Sequence, residues 1–104
     1  MKIALTASDP SIDSQIDERF GRTKYIIIYD SETNGMETLD NSVNVNMAQG
    51  AGIQTAGNIA EKKVDLILTG IVGPKAAEAL AKAGIKYIEN VSGTCRSAIE
   101  KHCK

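Results

Sequence analysis

A chain of 104 residues with 42% apolar side chains can bury roughly 60–70% of the surface its unfolded form exposes, enough for one core and a single domain over 1–104. Its formal net charge of −1 lacks the basic excess that a nucleic-acid or membrane-surface binder needs, so neither partner is expected. No apolar run approaches the roughly 18–20 residues required to cross a bilayer, and Met1 to Thr6 is too short for a signal peptide, which points to the cytoplasm.

The aromatic residues are Phe20, Tyr25, Tyr29 and Tyr87, so the core must be built from Ile, Leu, Val and Ala. Lys2 to Thr6 alternates, with Ile3 and Leu5 on one face and Ala4 and Thr6 on the other, as a first strand does. Ala7 to Arg22 is a polar loop carrying Asp9, Pro10, Asp13, Asp17 and Glu18, and it closes on Arg19-Phe20-Gly21-Arg22. Thr23 to Asp30 is a second strand whose continuous apolar centre predicts burial on both faces. Asn34-Gly35 is a strong hairpin signal, and Met36 to Asp40 is the returning third strand.

Asn41 to Gly52 reads as a loop running into a helix start, with Met47 as a gap-filling or ligand-covering side chain. Ile53, Ala56, Ile59 and Ala60 continue as a helical stripe to about Lys62. Leu66 to Leu68 is strand-length, and Gly70 and Gly73 bracket a tight turn. Pro74 stands at the first helical position, where its missing N–H is no loss. Ala76, Ala77, Leu80 and Ala83 follow at helical spacing, and Gly84 is the stop. Ile85 to Glu89 is a last strand. Thr94 to His102 is a last helix, with Cys95, Ala98, Ile99 and His102 on one stripe.

This order, β-β-β-α-β-α-β-α, predicts an α/β fold: a five-stranded mixed sheet with three helices and only the second strand antiparallel. The carboxyl ends of strands one, three, four and five then share one edge, where open α/β sheets bind ligands. The 8–22 loop, the 41–52 loop, the 70–75 turn and the 90–95 turn meet there. Three helix N-termini, with Arg19, Arg22 and Lys75 nearby, would make that edge an anion site. The plainer readings are an ordinary strand-to-helix connection at 70–75, and surface pairing of Arg19 and Arg22 with Asp13, Asp17 or Glu18.

Three stretches fall together in register: Ile16-Asp17-Glu18-Arg19-Phe20-Gly21-Arg22, Gly50-Ala51-Gly52, and Gly70-Ile71-Val72-Gly73-Pro74-Lys75-Ala76. Over nearly its whole length the chain resembles the dinitrogenase iron–molybdenum cofactor biosynthesis family of small carrier domains. The resemblance implies a ribonuclease-H-like sheet and a non-enzymatic role. That role is to hold an iron–sulfur-based, possibly molybdenum-containing, cluster or its precursor for transfer to a partner protein. It places the cluster against Arg19, Phe20, Gly21, Arg22, Gly50, Gly52, Gly70, Gly73 and Lys75. Nitrogenase-dedicated members carry a histidine immediately before the Phe-Gly. Arg19 stands there instead, and an always-protonated guanidinium binds no metal, so the chain reads as a stand-alone member.

Cys95 is the soft metal-ligand candidate, because a helix N-terminus favours thiolate; the preferred reading is a small buried hydrophobe on the Ala98/Ile99 stripe. His102 and Cys103 sit at the far end of that helix and read as a solvated terminus. On one helix Cys95 and Cys103 stand about 12 Å apart along the axis, beyond the roughly 7 Å that a disulfide tolerates. Two other functions compete with the carrier. A small-anion or nucleotide sensor would use the same helix N-termini. A ribonuclease-H-like nuclease would need carboxylates converging on two metal ions, and Lys2 to Thr6 carries none while Asp65 lies at the wrong end of its strand.

Overall fold

The computed structural model describes residues 1–42 and 50–103, so residues 43–49, Met47 among them, lie outside what is described. β1 (Lys2–Ala7) is the spine of the sheet, with every residue from Ile3 to Ala7 buried. β2 (Tyr25–Asp30) pairs with it antiparallel, Leu5 opposite Ile27, and β3 (Met36–Asp40) pairs antiparallel with β2, Ile27 opposite Thr38. On the other side β4 (Leu66–Leu68) runs parallel to β1, and β5 (Lys86–Ile88) runs parallel to β4. The order is β3-β2-β1-β4-β5 with only β2 reversed, the ribonuclease-H-like arrangement expected.

The alternation of β1 sorts the core into two layers. Ala4, Ile26, Ile28 and Ile67 face α1 (Ala51–Glu61) and α2 (Pro74–Ala83), and meet Ile59, Ala56, Ala76 and Leu80 there. Ile3, Leu5, Ala7, Ile27 and Leu68 face α3 (Cys95–Cys103) and meet Cys95, Ala98 and Ile99. Ile26, Ile27 and Ile28 are thus all buried because β2 is covered on both faces. Fully burying one such side chain stabilises by about 1.5–3 kcal/mol. β3 is the edge, largely exposed, and Glu37 on it pairs with Lys62 at 2.8 Å.

Local signals decide the boundaries. Pro74 opens α2, and Gly84, at φ 73°, ends it in the left-handed region. The β2–β3 hairpin turns with Asn34 at φ 60°, while Asp30 and Gly35 close the loop through Asp30 N–H to the Gly35 carbonyl at 2.9 Å. Among the described residues no helix is long and apolar enough to cross a membrane.

A cleft between two helix N-termini

The 8–22 loop does not wander over the sheet edge. Main-chain hydrogen bonds stitch it to both neighbours. Ile71 N–H donates to the Glu18 carbonyl at 2.6 Å, and Phe20 N–H donates to the Ile71 carbonyl at 3.1 Å. This short parallel ladder needs Gly70, because a Cβ there would run into the Glu18 backbone. Three chain segments then converge on Gly52. A Cβ on Gly21 would lie 2.7 Å from the Gly52 nitrogen, and a Cβ on Gly52 would lie 2.9 Å from that of Ala76. Real Cβ atoms do not approach so closely, so these glycines allow the Arg19–Arg22 loop, α1 and α2 to touch.

Where they meet, a cleft of about 580 Å³ opens. Its walls are the Arg19–Arg22 loop, the Gly50–Ile53 turn, and Ile71 with Gly73–Ala76. Phe20 is 1% exposed and closes the base, whereas Ile53 and Ile71 are 47% and 62% exposed at the rim. Gly50, at φ 79°, caps α1 without a side-chain hydrogen bond; Gly73 does the same for α2 from an extended conformation. The first-turn N–H groups of Ala51, Gly52, Ile53, Lys75 and Ala76 therefore have no intrahelical acceptor. Two positive helix ends and three cationic side chains, Arg19, Arg22 and Lys75, border one largely apolar space. Arg19 Nε lies 3.8 Å from Asp17 Oδ1, with 66% of its side chain still exposed.

The structure gathers Arg19, Phe20, Gly21, Arg22, Gly50, Gly52, Gly73 and Lys75 around this cleft. It does not bring two of the expected residues there. Gly70 serves the approach to Glu18 and is absent from the lining. Cys95 lies in the layer beneath α3, on the opposite face of the sheet, with 0% exposure. Its backbone N–H is taken by the Ser14 carbonyl at 2.9 Å. Burial pushes its thiol above the ordinary value despite hydrogen bonding with Ser14, the reverse of what the helix end alone would do. Hence two helix N-termini, not three, open on the site.

Sequence reasoning passed over three contributors. Ile53 and Ile71 form the apolar rim; an isoleucine inside a glycine-rich turn was the available hint for Ile71. Glu89 accepts from the Val72 N–H through its carboxylate at 2.9 Å, which with the Ile71 bond consumes two of the turn's own donors. Nothing local in the sequence marks that pairing, since it spans two elements. Among the described residues, no three His, Cys, Asp or Glu side chains group as a metal site.

A cationic cleft at the carboxyl edge of a ribonuclease-H-like sheet defines a small ligand-binding domain. The model of the dinitrogenase iron-molybdenum cofactor family matches residues 1–104, and the chain belongs to that family. It is similar to the apo form of the orange protein from Desulfovibrio gigas, at 39% identity and a TM-score of 0.94, covering 98% of this chain and 86% of that one. It is also similar to a putative NifB protein from Thermotoga, at 29% identity and a TM-score of 0.85, with 98% and 86% covered. A search among curated proteins returns no match.

Proposed function

We propose that this chain is a non-enzymatic cytoplasmic carrier. In the cleft it holds an anionic metal–sulfur cluster, iron–sulfur-based or molybdenum-containing, or its precursor, and passes it to an acceptor protein in cluster assembly. The observation that carries this reading is the convergence of two uncapped helix N-termini and three cations on one cleft with apolar walls. Family membership supports the same ligand class.

The donor set determines how such a ligand would be held. Backbone N–H, guanidinium and ammonium groups donate hydrogen bonds and offer metals no lone pair. A preformed cluster would be gripped through its outer sulfur or oxygen atoms, and its metals would keep their own ligands. Apolar walls such as Phe20, Ile53, Ile71 and Pro74 suit a large anion whose charge is spread thinly. Each helix end contributes about 0.3–1 kcal/mol near a surface, and up to about 2 where partly buried. Holding without coordinate bonds also suits a cargo that must leave again.

The test is titration of the protein with tetrathiomolybdate while amide shifts are recorded. Shifts should concentrate at 19–22, 50–53 and 71–76. Shifts confined to the 30–36 hairpin, or to the end of α3, would overturn the proposal.

A further inference from the structure

We infer that Asn41 and Thr55 are positioning residues that set the spacing between the Arg19–Arg22 loop and the first turn of α1; this rests on the cleft being the ligand site proposed above. Both are polar and buried, at 2% and 0% exposure, where an apolar side chain would pack without any desolvation cost. Each is bonded. Asn41 Nδ2 donates to the Thr23 carbonyl at 3.0 Å and to Thr55 Oγ1 at 3.1 Å. The carbonyl can only accept, which fixes the amide orientation. The Asn41 backbone N–H donates to the Lys24 carbonyl at 2.7 Å. Thr55 passes its own proton on to the Gly21 carbonyl at 3.4 Å, a long bond.

The placement explains the effect. Gly52, Thr55 and Ala56 share one face of α1 at i, i+3 and i+4. Gly52 touches Gly21 directly, and one turn later Thr55 reaches the same residue's carbonyl. The loop therefore hangs between two anchors. The entry side, at Glu18 and Phe20, is held by main-chain bonds to Ile71. Its exit side, from Gly21 to Lys24, is held to β1 where Thr23 Oγ1 bonds the Ala7 backbone, and to α1 through Asn41 and Thr55. Arg19 is held within the first anchor and Arg22 lies within the second, so the second anchor governs where the Arg22 charge stands relative to the α1 N-terminus.

Thr55→Val keeps the shape and removes the hydroxyl, and Thr55→Ser restores the hydroxyl. Thr55→Val should bind tetrathiomolybdate about tenfold more weakly. In the ligand-free protein it should speed hydrogen exchange at the Asn41 amide, which donates to the Lys24 carbonyl, while Ile27 and Ile67 keep their protection. Thr55→Ser should return both readouts to wild type. Wild-type affinity with unchanged Asn41 exchange in Thr55→Val would overturn the inference, as would a uniform acceleration across the sheet, the mark of a merely structural role. If the wild-type protein fails to bind the probe, the proposed function falls. The ligand-free exchange pattern then still decides what Asn41 and Thr55 do.

Discussion

The N-termini of α3 and α2 arise from the same kind of sequence, a strand, a glycine-containing turn and a helix start, and α1 likewise begins after a glycine, yet α3 differs from the other two. At α3 every first-turn donor is answered. Cys95 N–H goes to Ser14, Arg96 N–H to the Ile12 carbonyl at 2.9 Å, and Ala98 N–H to the Thr94 carbonyl at 3.0 Å. Ser97 N–H goes to Thr94 Oγ1 at 3.1 Å. The 8–16 segment lies across this end, and Arg96 grips Asp13 at 2.7 Å. At α1 and α2 the caps are glycines with nothing to donate or accept from a side chain. A side-chain cap at Gly73 would stabilise the fold, so a glycine there is the arrangement expected of a binding site, whereas Gly50 is required by its left-handed backbone.

The largest effect should come from closing the gap that separates the two open ends. In Gly21→Ala the new Cβ meets the Gly52 backbone, which cannot swing aside as a side chain could. Overpacking of this kind costs about 1–3 kcal/mol. Chemical denaturation should show the loss, and titration should show the cleft damaged with it. A Gly21→Ala protein as stable as wild type would mean that the loop and α1 do not touch as described.

The open and closed ends could not be told apart from the sequence. Strands, helices and their order were legible because period-2 and helical spacing, Pro74 and Gly84 are local signals. The cleft was half legible: Arg19–Arg22, Gly50–Gly52 and Gly73–Lys75 carried it, and their convergence followed from topology. Cys95 was legible as a small buried hydrophobe on the Ala98/Ile99 stripe, as its 0% exposure bears out. The thiolate that its helix-end position also suggested was not, because its state depends on the 8–16 segment folding over α3. That bridge pairs Gln15 with Thr94, residues far apart in the chain. Gly70 misled for a related reason: its role is defined by Glu18, not by its neighbours.

A smaller change should convert an open end into a closed one. Gly73 adopts φ −68°, ψ 163°, a conformation suited to a capping Asp or Ser, and a Cβ there meets nothing. Gly73→Asp should raise stability by a few tenths of a kcal/mol while weakening tetrathiomolybdate binding about tenfold, since the carboxylate competes for the same donors. Gly73→Ser caps without charge and should fall between the two. Gly73→Asp binding as tightly as wild type would remove the α2 end from the site.

The smallest effect belongs to the closed end and tests whether the two ends are independent. Arg96, first by hydrogen bond and then by charge, holds the Asp13 carboxyl below its ordinary value. A depressed carboxyl stabilises the fold above its unfolded pKa, about 3.9, and loses that contribution as pH falls through the lowered folded value. The side chains are 56% and 68% exposed, so solvent and salt screen the pair strongly. Asp13→Asn should therefore lower the melting temperature slightly at neutral pH, less so at high salt, and not at all once Asp13 is protonated in the wild type. Tetrathiomolybdate affinity at neutral pH should not change, because the clasp lies on the α3 side of the sheet and the cleft on the other. A loss of affinity in Asp13→Asn would show that the 8–16 clasp and the Arg19–Arg22 wall move as one body, and that the closed end helps to shape the open one.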